Sequence, residues 1–494
     1  MLPPVSRSLR RLVTTLVVVA GLVPLAPAAG VAVPPETPGG DACRDATAGV
    51  APEDARVRAC ATIDAGANAA TAWCREAVGL PAEECATPSG RMVDRALVDA
   101  YQGSWQHAAH ALQRELGDPL PLRRTTFLAT HNSYNAAAYR PTLSGSDPNQ
   151  QYTITDQLRM DVRVLELDVH WWVSPEDGGR APVLCHATGP HLGCSTDRHL
   201  REGLTEIADW LALPDNAGEV LIVRLENHLD DEDAHDTAAA DLEEVLGPYL
   251  YRPPADAPCR DFPLELTRDD IRAAGANILL VSDCGQGVAW PALVHAYGDR
   301  VEAGTTDFTA YPDCGSAFTR EEHEAKYIRR FEDGTWLSTM AADPGPRIDA
   351  TMAAEMLKCG VNQPSFDHLT PEDARLTSTV WSWAEAEPAA DAGGCAVHGA
   401  DARFRAAGCT GATVATHAAC RTAGDGWTLR PAAGLFAAAQ VCAAGGGLLG
   451  VPRTSEQNEQ LRAAKAAAGV DTAWLGYVEV DGDWTPEPDL ALPG

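Results

Sequence analysis

The sequence predicts an α/β protein built on a (β/α)8 TIM-type barrel, and three observations carry that expectation. Short apolar runs of strand length alternate with segments of helical spacing from about residue 120 to residue 388. Several of these runs end on histidines, carboxylates or amides, as barrel strands do at their catalytic C-terminal ends. The flanking regions lack this alternation. A cysteine-bearing helical region is expected before the barrel and a small α+β module after it.

Residues 1–29 read as a signal peptide: Arg7, Arg10 and Arg11, then the apolar run Leu12–Leu25, then small residues around Ala26-Pro27-Ala28-Ala29. A secreted, extracellular protein is expected, since no other stretch is long and apolar enough to span a bilayer. Residues 30–91 contain Cys43, Cys60, Cys74 and Cys85, expected to staple short helices among themselves. From Met92 to Leu116, the residues Val93, Leu97, Tyr101, Trp105, Ala108 and Leu112 recur at helical spacing, which predicts one long amphipathic helix ended by Gly117-Asp118-Pro119. It leads a barrel spanning residues 92–388. The predicted strands are Thr126–Ala129, Val162–Val169, Pro182–Cys185, Val220–Leu225 and Asn277–Ser282, with a later pair at Val361–Phe366 and Thr377–Trp383. Helices are predicted at Leu200–Leu213, Ala234–Leu246 and Thr267–Ala274. Glu385–Gly394 reads as a linker, and residues 395–494 as a separate module.

Fourteen cysteines in an exported chain imply disulfides, with Cys185 and Cys194 the best local pair. The formal net charge is −31, with lysine only at Lys326, Lys358 and Lys465. No basic patch for nucleic acid is visible. Net charge gives no attraction to an anionic membrane, so peripheral contact at most is expected, and a monomer. An anionic substrate must be drawn in locally, by a metal ion or placed arginines.

The chemistry lies at the strand ends. The first run ends on Thr130-His131-Asn132-Ser133-Tyr134. The second, Arg163-Val164-Leu165-Glu166-Leu167-Asp168-Val169-His170, places Glu166 and Asp168 on one face by strand alternation. Two buried acids on one face are costly without a cation. The third run ends in His186, and the fourth gives Arg224 and Glu226, followed by Asn227 and His228. One amide oxygen and three carboxylates suit Ca²⁺, or less well Mg²⁺, rather than Zn²⁺. Two histidines outside that set suit general acid–base work.

Thr-His-Asn-Ser-Tyr, Leu-Glu-Leu-Asp, Cys-His and Arg-Leu-Glu-Asn-His in this order resemble the motifs of Ca²⁺-dependent phosphoinositide-specific phospholipase C, most closely its secreted bacterial branch. The likeness covers roughly residues 92–388. It implies that His131 and His186 are catalytic and that Asn132, Glu166, Asp168 and Glu226 hold Ca²⁺. It further implies that phosphatidylinositol in a membrane, or a headgroup derivative, is cleaved to diacylglycerol and inositol 1,2-cyclic phosphate or inositol 1-phosphate. It leaves open which residue is the general base. The animal enzymes carry two lysines at the end of the fifth strand, where Ile278-Leu279-Leu280-Val281-Ser282-Asp283 stands here. Asp283 would repel ring phosphates, so unphosphorylated phosphatidylinositol is expected, with Asp283 and Arg224 near the ring hydroxyls or phosphate.

Near the C-terminus, Cys420, an Ala-rich run to Cys442, Gly445-Gly446-Gly447 and Ala473-Trp474-Leu475-Gly476 resemble the first half of a C-type lectin-like domain. Glu487-Pro488-Asp489 is similar to the lectin sugar motif but lies close to Gly494. Two alternatives stand beside the phospholipase reading. Related glycerophosphodiester or sphingolipid phosphodiesterases share the strand-end histidines and Glu-x-Asp, often with Mg²⁺, but usually have Arg where Asn132 stands. A non-catalytic lipid- or glycan-binding protein would have no need of both histidines and all four ligand positions.

Overall fold

A computed structural model of the chain describes residues 95–139, 148–174, 179–186, 198–297, 301–304, 308–314, 328–334, 347–410, 414–424 and 426–486. The expected signal peptide, the region 30–91 with its four cysteines, Cys194 and Glu487-Pro488-Asp489 lie outside these residues.

The first sheet holds β1 (Ala129–Thr130), β2 (Val164–Val173), β3 (Arg180–Leu184), β4 (Arg198–His199), β5 (Leu221–His228), β6 (Ile278–Ser282), β7 (His295–Ala296), β8 (Val301–Gly304), β9 (Arg329–Glu332) and β10 (Gln363–Phe366). Eight of these run parallel in the order β7-β6-β5-β2-β1-β10-β9-β8. β10 returns to pair with β1, so the sheet curls on itself. Each parallel strand lies beside the next in chain order, except that β7 and β8 do not pair among the described residues.

The two faces of β2 explain its place. Leu165, Leu167 and Val169 share an apolar core with Leu204 and Ile207 of the helix Leu200–Leu211 and with Ala238 and Leu242 of the helix Glu232–Leu246. The opposite face begins with Val164, which joins Ile222 of β5, Leu279 of β6 and Phe127 in a second apolar cluster. Above that floor the same face carries Glu166 and Asp168 on β2, and Arg224 and Glu226 on β5. Register pairs Glu166 with Arg224 and Asp168 with Glu226. Apolar residues therefore plug one end of the curled sheet, and charged ones line the other.

Three expectations need correction. Pro182–Cys185 does not add a parallel strand: β3 turns back antiparallel on β2. Only six residues separate β2 from β3, too few for a parallel crossover, which takes about a dozen or more. The expected long helix is two, Arg95–Gln102 and Trp105–Gly117. It breaks at Gly103-Ser104, where Ser104 Oγ accepts from the His107 backbone N–H at 3.3 Å as an N-cap. Thr377–Trp383 is no strand. Asp373 caps a short helix, Ala374–Ser378, and Val380 and Trp383 then enter the core of the C-terminal module.

That module is a mixed sheet of β11 (Cys395–His398), β12 (Phe404–Ala407), β13 (His417–Arg421), β14 (Trp427–Pro431), β15 (Leu448–Leu449), β16 (Ala473–Val480) and β17 (Asp483–Pro486). Its main order is β12-β11-β16-β13-β14, with β13 and β16 parallel. A helix, Leu435–Ala444, packs on one face and the helix Ser455–Ala468 contributes to the other. Disulfides join Cys259–Cys284 and Cys314–Cys359 in the first sheet region, and Cys395–Cys409 and Cys420–Cys442 in the module. Cys185 is also disulfide-bonded, to a partner outside the described residues. Such usage matches an oxidising compartment. Among the described residues, no helix is long and apolar enough to cross a membrane.

The helix Trp105–Gly117 links the two parts. Ala109 and Leu116 belong to the module's core, while Arg114 reaches the N-terminal end of the parallel strands. There it pairs with Asp161 at 2.6 Å and Glu219 at 3.1 Å. Arg163 closes the cluster on Glu219 at 2.8 Å, and Tyr101 donates its hydroxyl to Asp161 at 2.7 Å.

Candidate active site

The segment after β1 builds the site. Asn132 adopts a left-handed backbone (φ 44°), which asparagine tolerates better than most residues. This turn lets its backbone N–H donate to Glu166 Oε2 at 3.2 Å. Ser133 Oγ accepts from the Glu166 backbone N–H at 2.9 Å and donates to the Thr130 carbonyl at 3.1 Å. Tyr134 donates its hydroxyl to Asp168 Oδ2 at 2.7 Å. The motif thus holds both carboxylates of β2.

Those carboxylates sit in contrasting surroundings. Burial would raise the pKa of Glu166, but Arg330, His131 and Arg224 together bring it down to about 2. Arg330 Nη2 lies 2.6 Å from its Oε2 and Arg224 Nε 3.8 Å from its Oε1. Asp168 is also buried. Burial, then the negative charges of Glu226 and Glu166, push its pKa well above the usual carboxylate range. Glu226 is exposed and accepts from His228 Nε2 at 2.9 Å.

His131 lies 3.3 Å from Asp367 through Nδ1. Burial would lower its pKa, but Asp367 and then Glu166 raise it to about 9. Asp367 is fully buried and takes further hydrogen bonds from Asn149 Nδ2 at 3.2 and 3.3 Å. His186, brought back by the β2–β3 hairpin, faces Asn135 Nδ2 at 3.4 Å. Burial and the charge on His131 lower its pKa. The two histidines are thus shifted in opposite directions.

Asp367 and Glu332 escaped the sequence reading as site residues. Asp367 directly follows β10, where no neighbouring pattern in the sequence marks it. Glu332 ends β9, Arg-Arg-Phe-Glu, where charged residues hide the strand. Its signal is period two: Arg330 and Glu332 share a face, form an ion pair, and flank the buried Phe331. His131, Glu166 and Glu332 offer ligand atoms within 4.8 Å of one another. Arg224 is buried, with its guanidinium 4.9 Å from the centre of the Tyr297 ring. Asp283 is exposed at the end of β6, where its Oδ1 accepts from Asn227 Nδ2 at 2.7 Å and from the Gly285 backbone N–H at 3.0 Å. It therefore shapes a turn.

The donor set fits a hard cation. Asp168 lies buried near the carboxylates Glu226 and Glu166, and oxygen ligands of this charge suit Ca²⁺ or Mg²⁺. With its amide oxygen toward Asp168, Asn132 stands 2.9 and 3.0 Å from the two carboxylate oxygens. With the amide turned over, which satisfies both its ends, its nitrogen donates to the same oxygens and its oxygen accepts from His131 Nε2 at 3.2 Å. Glu166 is shared with Arg330 and has the least need of a metal.

The curled parallel sheet and the histidine–carboxylate cluster at its C-terminal rim define a PI-PLC-like α/β protein. Residues 87–373 match the family described as the Rv2075c PI-PLC-like domain, and the chain belongs to that family. It is 38% identical over 441 residues to the uncharacterized protein Rv2075c of Mycobacterium tuberculosis, covering 85% of this chain and 89% of that one. Among solved structures it is similar to S. officinalis PLC21 at 14% identity and a TM-score of 0.35, over 51% of this chain and 34% of that one. The chain thus spans about a third of PLC21's length. It is also similar to a calcium-dependent phosphoinositol-specific phospholipase C from Pseudomonas sp., at 15% identity and a TM-score of 0.32, over 53% of this chain and 92% of that one.

Proposed function

We propose that the protein is a secreted, metal-assisted phospholipase C that cleaves phosphatidylinositol. The observation that carries this reading is the geometry at one rim: His131 lies 3.3 Å from buried Asp367, and His186 faces Asn135, beside the strand-end carboxylates Glu166 and Asp168. Two groups whose surroundings push their pKa values apart suit the two ends of a proton transfer.

In this reading His186 takes the proton from the inositol 2-hydroxyl as its oxygen attacks phosphorus. The bond from phosphorus to the diacylglycerol oxygen breaks, and His131 gives that oxygen its proton. Diacylglycerol leaves, and inositol 1,2-cyclic phosphate remains for water to open. Asn132, Asp168 and Glu226, with Glu166 beside them, would hold Ca²⁺, which when bound stabilises charge on a phosphoryl oxygen and lowers a hydroxyl's pKa. Arg224 and Arg330, buried beside Glu166, supply fixed positive charge at the same rim. Asp283 adds negative charge at the end of β6, which favours a ring without phosphates. The signal-peptide pattern and the disulfides support export.

The test is product analysis. Phosphatidylinositol vesicles incubated with the protein and Ca²⁺ are expected to release diacylglycerol and cyclic inositol phosphate, with less release in Mg²⁺ and none in chelator. Failure to cleave under every metal would refute the reading. A strong preference for the bisphosphate would refute the part given to Asp283.

A further inference from the structure

The charged face of β2 and β5 rises in tiers. Side chains two residues apart on a strand share a face, and the register pairs Glu166 with Arg224, Asp168 with Glu226, and then His170 with His228. In this last tier the two imidazole rings are stacked, with centroids 4.2 Å apart and planes 17° from parallel. His170 is wholly buried. His228 lies on it and reaches back one tier, where its Nε2 stands 2.9 Å from Glu226 Oε1. The residues between these positions go elsewhere: Val169 enters the apolar core, and Asn227 donates to Asp283.

Each carboxylate of the rim is held from a different part of the chain. Glu166 accepts from the Asn132 backbone N–H and pairs with Arg330. Asp168 accepts from the Tyr134 hydroxyl. Both are buried, so packing restricts them as well. Glu226 differs, since 52% of its side chain is exposed. An exposed glutamate gives up rotamer freedom whenever a ligand fixes it, and a donor that holds it beforehand removes much of that cost. His228 is placed to be that donor. Its own ring has little freedom, because it lies flat on one that is completely enclosed. A ring needed at position 228 only to cover His170 would cost less as a phenyl group, since a partly buried imidazole must have its nitrogens satisfied. An imidazole adds what phenyl cannot, a hydrogen bond to a carboxylate.

We propose that His170 and His228 are positioning residues for the cation site: His228 fixes the Glu226 carboxylate beside Asp168, and His170 fixes His228. This rests on the reading of the rim as a Ca²⁺ site. Carboxylates that ligate metal ions are themselves hydrogen-bonded, and loss of such an outer partner weakens metal binding by about 10–100-fold. The two rings have different tasks. His228 acts on the ligand through its nitrogen. His170 acts only through His228, so the pair behaves as one unit and not as two independent contributions.

The test is calorimetric titration of Ca²⁺ into the full chain and its variants. No lipid is present, so the result does not depend on whether phosphatidylinositol is the substrate. His228→Phe keeps the stack and loses the donor, and should bind Ca²⁺ about 10–100-fold more weakly than the parent. His228→Gln restores a donor and should recover part of that loss. His170→Ala should bind several-fold more weakly when His228 is present and cause no further loss in the His228→Phe background, the non-additivity expected of coupled residues. Parent-like affinity in His228→Phe would overturn the proposal. So would equal losses from His170→Ala in both backgrounds, which would mark a packing role alone, or no Ca²⁺ binding by the parent. Thermal unfolding in chelator checks that each variant folds. If His228→Phe does not, His228→Ala and His228→Gln are compared in its place: stronger binding by the glutamine variant supports the proposal, and equal binding overturns it.

Discussion

The two ends of the parallel strands carry the same kinds of residue under opposite electrostatic conditions. At the N-terminal end, buried Asp161 is met by Arg114, His107 and Tyr101, and Glu219 by Arg114 and Arg163. Burial alone would raise both carboxyl pKa values, but the arginines, Arg114 for Asp161 and Arg163 for Glu219, hold them well below the usual range. At the C-terminal end, Asp168 is buried among carboxylates and its pKa goes the other way. A saturated cluster stabilises the fold. An unsaturated one is retained at a cost to stability, which marks the end where a ligand or reaction supplies the missing charge.

The largest effect expected at the unsaturated end is on turnover. His131→Ala should lower the rate of phosphatidylinositol cleavage by about 10²–10⁴-fold, with an unfolding temperature near that of the parent. Near-normal turnover in a steady-state assay would take His131 out of the mechanism. The largest effect at the saturated end is on stability. Asp161→Ala leaves Arg114 buried without its closest partner and should cost about 3–5 kcal/mol in urea unfolding, with little change in turnover per folded molecule. A loss below about 1 kcal/mol would show the cluster to be no more than a surface ion pair in effect.

How much of this contrast was legible in the sequence depends on the residue. His131, Asn132, Glu166, Asp168 and Glu226 could be read because strand alternation and apolar neighbours frame them. Asp367 could not be given a role, since its partner His131 is 236 residues away and only the closure of β10 on β1 brings them together. β9 was invisible for a different reason. Arg329 and Arg330 are both buried, so the strand has charges where a periodicity search expects apolar residues. Leu-Cys-His186 reads as a strand ending on a histidine and is one, but a return strand rather than a barrel strand. The length of the loop before it held that information.

A smaller effect reverses sign between the two ends. Asp168→Asn removes a carboxylate whose ionised form is disfavoured by burial and by Glu226 and Glu166, and should raise stability in chelator. The same change should lower activity. Destabilisation in chelator would mean that Asp168 is already neutralised.

The smallest effects are in pH dependence. Asp161 and Glu219 have folded pKa values below their unfolded ones, near 4. Their contribution is present above about pH 4 and is lost as pH falls through the folded values. Asp161→Asn should therefore flatten the acid limb of a stability–pH curve. His131 behaves oppositely: raised to about 9 by Asp367 against the effect of burial, its contribution is full below about pH 6.5 and is lost as pH rises through about 9. His131→Gln should flatten that alkaline limb, and an unchanged limb would break the pairing with Asp367.

Metal titration by calorimetry, on the parent chain and on Asp168→Asn, tests the contrast between the two ends most directly. One Ca²⁺ per chain is expected to bind the parent, with binding lost or greatly weakened in Asp168→Asn and unaffected in Asp161→Asn. No heat with the parent, or equal binding by Asp168→Asn, would contradict the assignment of the charge-deficient rim as the functional end.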